Sequence, residues 1–390
     1  MHSIQLCRRC MGSTSERNRP LRVVFAWPTI SGYMSACWRA LVEHLGIDPF
    51  VVAFEAGQST AFNDGLMSGI PSRLLDEEER HNAGLVRDLV AAQNPDVVVL
   101  SGWFHPPYRR LPFRWALRDS RFVMGMDTPW RGTGRQQVGR WLLRPFVDRM
   151  DRVVVTGERC WQYARRLGVP PRAITRGLYG VDVAGLAPVW DRRRENGWPQ
   201  SFLFVGRFAD EKAVDVLVEG YARHREQVDD PWPLVTCGKG PMSDRLDRQA
   251  GIDNRGFVQP DDMDDVWAGA GAFVLPSRFD PWPLALVEAA ASGLPIVCSD
   301  ACGSAVEVVR HNYNGLRVPD EDPGALARAF AQIQRRYDEL PEWGRRAQRF
   351  AVPHSAERWA DRWVRLLRDV DGKPPSATLE DQYALSLSST

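Results

Sequence analysis

Short runs of apolar, largely β-branched residues recur along this chain, separated by helix-like sequence. One series comprises 21–27 (LRVVFAW), 51–54, 95–100 (PDVVVL), 122–126 and 152–155 (RVVV). A second comprises 201–205 (SFLFV), 233–237, 272–275 (AFVL) and 295–298 (PIVC). A strand that is apolar at nearly every position has both faces buried, which places it inside a parallel sheet covered by helices on both sides. Helical patterns run from the loop at Gly32 to about His44 and from about Asn82 to Ala92, as that arrangement requires. The alternation lapses over 178–198, a stretch rich in Gly, Pro and Trp that reads as a linker.

The chain of 390 residues therefore divides into two α/β domains, over 21–185 and 186–355. An amphipathic helix over 356–370, with Trp359, Trp363, Leu366 and Leu367 on or near one face, is expected to pack back toward the N-terminal domain. Segments 1–20 and 371–390 read as tails. Charge is nearly balanced, 50 basic against 49 acidic residues, which disfavours a nucleic-acid binder and an acidic disordered chain. No apolar run reaches the roughly 20 residues that span a bilayer. The polar N-terminus has no secretory apolar core, and seven scattered cysteines read as reduced thiols, so a cytoplasmic location is expected. Cys7 and Cys10 form a lone CxxC with no second pair to complete a zinc site.

The second series ends in charged loops. In FLFVGRFADEKAVDVLVEGY, from Phe202, the apolar strand gives way to Gly206, then Arg207, and Lys212 stands at the opening of a helix. Two cations at the carboxyl end of a parallel strand suit a diphosphate, the guanidinium as a fork and the ammonium as a point charge. A surface Arg and Lys in an ordinary strand-to-helix loop would read the same way. Rarity singles out Lys212, because only Lys212, Lys239 and Lys373 among the basic residues are lysines. The segment 276–300, PSRFDPWPLALVEAAASGLPIVCSD, places Asp280 in a loop and Glu288 eight residues on, inside an Ala-rich helix that Gly293 and Pro295 end. The start of that helix, at Leu284 and Ala285, offers backbone N–H groups to an anion. Glu288 is placed either to accept from the hydroxyls of a ribose or to face solvent. Gly303 and Ser304 follow the run 295–298, with Ser304 a candidate N-cap for a helix over 305–310. No GxGxxG follows the first strand, which disfavours a dinucleotide-dependent dehydrogenase.

In order, the segments VGR…EK, GKG (238–240), NRGFVQPDDM, the spaced carboxylates, CGSAVEVV and NGL (314–316) resemble the donor domain of the GT-B glycosyltransferases, in the large retaining family 4. The likeness is close over about 201–330. The N-terminal half is similar by architecture and by GVD (180–182), which resembles the family's hinge stretch. The resemblance implies an α/β GT-B fold, two Rossmann-like domains facing across a crevice. It implies a retaining transfer from a nucleoside-diphosphate sugar, UDP- or GDP-linked, to a glycan or lipid-linked acceptor in bacterial surface polysaccharide or glycoconjugate synthesis. No metal and no other cofactor is implied; the DxD within DDMDD (261–265) reads as an acidic helix start.

Residue by residue, the resemblance assigns Arg207 and Lys212 to the donor diphosphate, Asp280 to the donor sugar, Glu288 to the ribose and Val258 to the base. Gly206, Gly238, Leu284, Ala285, Gly303 and Ser304 complete the donor side. Asp127 and His105 join Arg207, Lys212 and Asp280 as catalytic candidates, and with Gly32 they mark the acceptor side. Several positions depart from the family pattern. Ala213 stands where a glycine is usual, Asp280 where a glutamate is, and Pro283, which has no N–H to donate, where another glycine is. Val99 and Ser101 replace a His-bearing loop, and Met126-Asp127 replaces a His-Asp pair, leaving His105 either to face the crevice or to be a loop histidine without a role. These departures keep alternatives open: a non-catalytic sugar-nucleotide binder, or an epimerase or phosphorylase of the same fold.

Residues 109–152 hold eleven Arg against four Asp. Within them QQVGRWLLRPFVDRM (136–150) interleaves Trp141, Leu142, Leu143, Phe146 and Val147 with Arg140, Arg144 and Arg149. Such a segment suits peripheral docking on an anionic membrane surface. It equally suits a core-packed helix with a solvated arginine face, kinked at Pro145.

Overall fold

The computed structural model describes residues 19–44, 46–55 and 64–372; most of both expected tails, with Cys7, Cys10 and Lys373, lies outside them. The N-terminal strands are β1 Leu21–Ala26, β2 Ile47–Phe54, β3 Ser72–Leu75, β4 Val97–Leu100, β5 Arg121–Met126, β6 Arg152–Val155 and β7 Ile174–Arg176. They form one sheet in the order β3-β2-β1-β4-β5-β6-β7, parallel throughout. The C-terminal strands are β8 Phe202–Val205, β9 Leu234–Cys237, β10 Ile252–Gly256, β11 Ala272–Leu275, β12 Ile296–Ser299 and β13 Gly315–Val318. These form a second parallel sheet, β10-β9-β8-β11-β12-β13.

Alternation of side chains across the first sheet divides its core in two. Val23, Phe25, Val97 and Val99 face one side; Val24, Ala26, Val98 and Leu100 face the other. The first face is covered by Trp38, on the helix Gly32–Val42, and by Trp359 and Trp363, on the last helix, Ala356–Asp371. The Trp363 ring lies 5.8 Å from Phe25. The indole N–H groups of Trp359 and Trp363 donate to the carbonyls of Leu178 and Gly177, at 2.8 and 3.2 Å. The end of the chain thus completes the core of its first half. Beside it the chain crosses between domains, where Val181 N–H donates to His354 O and Ala356 N–H to Val181 O.

The stretch 178–198, read as a linker, contains a helix, Pro188–Glu195. It buries Val189 and Arg193, and the sequence PVWDRRRE hides half of that burial because the second buried residue is an arginine. Arg193 is 1% exposed and its guanidinium lies 4.9 Å from the Trp198 ring. It donates to the carbonyls of Ser292 and Gly293, both at 3.1 Å, and of Trp267 at 2.7 Å.

Strand order reverses between β1 and β4 in one sheet and between β8 and β11 in the other. Loops leaving the carboxyl ends of strands at such reversal points form a crevice, the usual ligand site of an open parallel sheet.

Candidate active site between the domains

A cleft of about 680 Å³ opens between the domains. Gly32 and Tyr33, following β1, line one wall; Val205 at the end of β8, Val258 and Glu288 line the other. Glu288 projects from the helix Leu284–Ala291, which starts after Pro283 and ends before Gly293 in a left-handed conformation (φ +74°). Among the described residues nothing donates to its carboxylate. Burial pushes its pKa from the ordinary 4.5 up to about 7. A partly enclosed carboxylate without a partner is suited to accept from ligand hydroxyls. Leu284 and Ala285 are half-buried at the start of the same helix.

Lys212 ends a single 3₁₀ turn, Asp210–Lys212, before the helix Val214–Gln227. Ala213 joins the two in a left-handed conformation (φ +54°), which costs a residue bearing a Cβ roughly 1–2 kcal/mol. A glycine, usual here in the resembling family, would avoid that cost. The turn directs the Lys212 ammonium onto the Asp280 carboxylate, where the two form an ion pair. The Asp280 side chain is 8% exposed. Burial raises its pKa, with the charge and hydrogen bond of Lys212 acting in the opposite direction. Arg278 ties the two loops together, pairing with Asp210, Asp215 and Glu321.

Gly303 and Ser304 support this arrangement from behind. Gly303 N–H donates to Asp280 O at 2.9 Å, and a Cβ on Gly303 would lie 1.7 Å from Pro281 O, so only glycine lets these loops meet. Ser304 occupies the expected cap position of a shorter helix, Ala305–Val308, but does not cap it. Its hydroxyl donates instead to Pro283 O, at 3.0 Å.

Gly206, Arg207, Gly238 and Val258 line a neighbouring hollow of about 280 Å³, which shares Val205, Phe257, Val258 and Met263 with the main cleft. Gly206 and Gly238 meet closely: a Cβ on Gly238 would lie 1.9 Å from Gly206 O. Arg207 pairs with Glu211 on the exposed rim, not with the buried Lys212–Asp280 pair. Lys239, which the sequence presents only within a GKG segment, lies over the Phe257 ring at 5.0 Å in the same hollow.

On the N-terminal side, Asp127 follows β5 and accepts from Tyr179 OH at 3.0 Å. Tyr179 packs edge-on against Trp27 and Tyr33. Neither tyrosine announces itself in the sequence, because each becomes a site residue only through this contact. His105 does not line the cleft. Its ring packs 4.7 Å from Phe54 and 4.6 Å from Tyr108. Burial, then the charges of His81 and Arg80, lower its pKa to about 4, so it is a neutral core histidine at physiological pH.

Two parallel α/β domains thus meet at a cleft lined by Glu288, with the buried Lys212–Asp280 pair in the loops that follow β8 and β11. Comparison with known proteins sharpens the class. HepE of Anabaena, solved in complex with UDP, superposes with a TM-score of 0.70 at 14% identity, covering 90% of this chain and all of that one. The fold is GT-B. Residues 199–336 match the family model for Glycosyl transferases group 1. Among curated relatives, a D-inositol 3-phosphate glycosyltransferase of Salinispora tropica is 33% identical over 225 residues, which are 50% of this chain and 45% of that protein. The D-rhamnosyltransferase WbpZ of Pseudomonas aeruginosa is 30% identical over 261 residues, 60% of this chain and 66% of that one. The chain spans a quarter to a half of the length of several curated relatives, including an exopolysaccharide phosphotransferase of Streptomyces coelicolor.

Proposed function

We propose that this chain transfers a sugar from a nucleoside-diphosphate sugar to an acceptor hydroxyl, with retention at the anomeric carbon. The observation that carries the reading is the buried Lys212–Asp280 pair in the loops after β8 and β11, together with the unpartnered Glu288 in the interdomain cleft. In this reading the ribose hydroxyls donate to Glu288, the base lies toward Val258 and Lys239, and the diphosphate draws on Lys212 and Arg207. Asp280 meets the sugar. As the bond from C1 to the leaving oxygen breaks, its electron pair and the growing negative charge go to the diphosphate, which Lys212 stabilises. The acceptor hydroxyl attacks C1 from the same face and its proton passes to the departing phosphate oxygen. Asp127, oriented by Tyr179, positions the acceptor. The test is a thermal-shift screen over UDP-, GDP-, ADP- and TDP-sugars, followed by NMR of the product's anomeric centre with the donor that binds. An inverted product, or donor epimerisation without any acceptor, would overturn it. The relatives named for inositol-phosphate and rhamnose transfer support a role in glycoconjugate synthesis.

Glu288 makes this reading pH-sensitive. Its raised pKa means that the folded chain without ligand must ionise a desolvated carboxyl as pH rises from about 4.5 to about 7, so stability falls across that window. Donor binding runs the other way, since ribose hydroxyls donate best to the carboxylate. Glu288→Gln should flatten the stability loss and weaken nucleotide binding about tenfold at pH 8, read by calorimetry and by denaturant midpoints at pH 5 and 8. Unchanged nucleotide affinity in the variant would remove Glu288 from the ribose site.

The basic segment adds a second surface. No residue of the helix Gly134–Leu142 is buried; Trp141 is 69% and Leu142 76% exposed, among Arg135, Arg140 and Arg144. Beyond Pro145, Phe146 and Val147 are buried and anchor the segment. Among the described residues no helix is long and apolar enough to cross a membrane. We read this helix as a peripheral dock on an anionic cytoplasmic leaflet. Flotation with anionic vesicles should capture the chain, high salt should release it, and Trp141→Ala with Leu142→Ala should abolish capture; capture that ignores both salt and substitution overturns the assignment.

A further inference from the structure

A third cavity, of about 330 Å³, lies between the domains beyond Asp280. Pro129, Trp130 and Arg131, from the loop after β5, and Arg159, from the start of the helix Glu158–Arg166, face Arg278, Phe279 and Asp280 across it. The charges on its walls do not cancel. Arg278 is matched by Asp210, Asp215 and Glu321, and Asp280 by Lys212. Of the nearby acids, Glu158 pairs with Arg176 and Asp300 with Arg317, while Glu307 accepts from Glu158 N–H through one oxygen and keeps the other buried without a partner.

That leaves two guanidiniums without a carboxylate partner among the described residues. The Arg131 guanidinium lies over the Phe279 ring, 4.2 Å from its centre, a contact that does not use its N–H groups. Arg159 donates to the carbonyls of Asp300 and Ala301, at 2.6 and 3.2 Å, which fixes its position while leaving its charge uncompensated. Two positioned guanidiniums without a carboxylate partner in one cavity suit a tetrahedral oxyanion, Arg131 through its side-chain fork and Arg159 through its charge and the N–H groups that its two carbonyl bonds leave.

We propose that this cavity is an anion subsite that holds a phosphate carried by the acceptor. The inference rests on the transferase reading above and deepens it, by naming the acceptor class. Both arginines belong to the N-terminal domain, which supplies Asp127 on the acceptor side, and the cavity lies past Asp280, the group assigned to the donor sugar. The exposed helix Gly134–Leu142 begins three residues after Arg131. A phosphate seated here can therefore belong to a lipid headgroup or to a soluble phosphomonoester, and the two sources separate experimentally.

The full chain is first saturated with UDP, so that the donor site is filled, and then titrated by calorimetry with glycerol 1-phosphate, with glycerol as the uncharged control. In parallel it is floated with vesicles containing phosphatidic acid or only phosphatidylcholine. Binding of phosphomonoester but not glycerol, weakened about tenfold in Arg131→Gln and in Arg159→Gln with UDP affinity unchanged, supports the subsite. If the substitutions act on glycerol 1-phosphate, the acceptor is soluble; if they act only on phosphatidic acid vesicles, it is a lipid. Arg131 is exposed, so its substitution leaves the fold intact even if Arg159→Gln disturbs the domain contact. Binding of glycerol 1-phosphate and of phosphatidic acid vesicles indifferent to both substitutions, or absence of both while UDP still binds, overturns the subsite. Failure of UDP itself to bind counts instead against the donor reading.

Discussion

Lys212→Ala lowers transfer by two to three orders of magnitude, the loss seen when a single preorganised charge or donor is removed from a developing anion. The same substitution strips Asp280 of its cation inside a nearly closed pocket. Asp280 already has a raised pKa from burial, and without Lys212 it rises further. The variant should therefore match the wild type in stability at low pH, where the carboxyl stays neutral. It should fall behind as pH rises and the folded state must ionise that carboxyl unaided. The double variant Lys212→Ala, Asp280→Asn removes the orphaned charge and should recover stability at pH 8 without recovering activity. Rate and denaturant midpoint measured on the three proteins separate the two roles. Recovery of transfer in the double variant would show that Lys212 serves only to neutralise Asp280.

Arg193→Ala is expected to destabilise the chain by about 3 kcal/mol, although the residue does not itself line the cleft. It donates to three buried carbonyls, two of them at Ser292 and Gly293, just past the end of the helix that carries Glu288. Each lost donor leaves a buried carbonyl at about 1 kcal/mol or more, and the vacated volume adds to this; release of a desolvated charge, which burial already holds down to a pKa of about 9, offsets part. Arg193→Met fills the space without donating and should cost roughly half as much. Arg193→Lys cannot reach three carbonyls from one nitrogen and should not restore the wild type. Because the substitution loosens the C-terminal end of the Glu288 helix, nucleotide affinity should fall together with stability, as read by urea unfolding and UDP titration. A stable Arg193→Ala with weakened UDP binding would separate the two effects and contradict this account.

The central strands were legible because burial on both faces writes itself into consecutive residues. VVVL of β4 and AFVL of β11 are apolar at every position, and both are buried throughout. The four strands that sequence patterning passes over are β3, β7, β10 and β13, which are the four edges of the two sheets. An edge strand pairs on one side only, so SRLL, ITR and IDNRG carry polar residues that a run-based reading takes for loop. The helix Pro188–Glu195 escaped for a related reason. Of its two buried side chains, Val189 and Arg193, the second is an arginine satisfied by carbonyls, and one apolar residue makes no hydrophobic period.

Of the candidate site, the sequence reached those residues whose placement follows from local position. Lys212, Asp280 and Glu288 each come just after an apolar strand or early in the helix that follows, and in a parallel sheet that position alone faces the crevice. The pairing of Lys212 with Asp280 was beyond reach, since 68 residues separate them and only the adjacency of β8 and β11 joins their loops. His105 shows the converse: its sequence neighbourhood suits the crevice, but its ring is held in an aromatic cluster from distant segments.

The two-sheet α/β architecture and the placement of charged loops at the ends of its strands were thus determined by the sequence alone, because strand burial and strand-end position are local and periodic. Partner choice was decided only by the tertiary structure. Which carboxylate takes Lys212, which carbonyls hold Arg193, and which arginines are left with charge to spare are questions of distance between segments remote in the chain. Electrostatic energy depends on that distance and on burial, and neither is written in the order of residues.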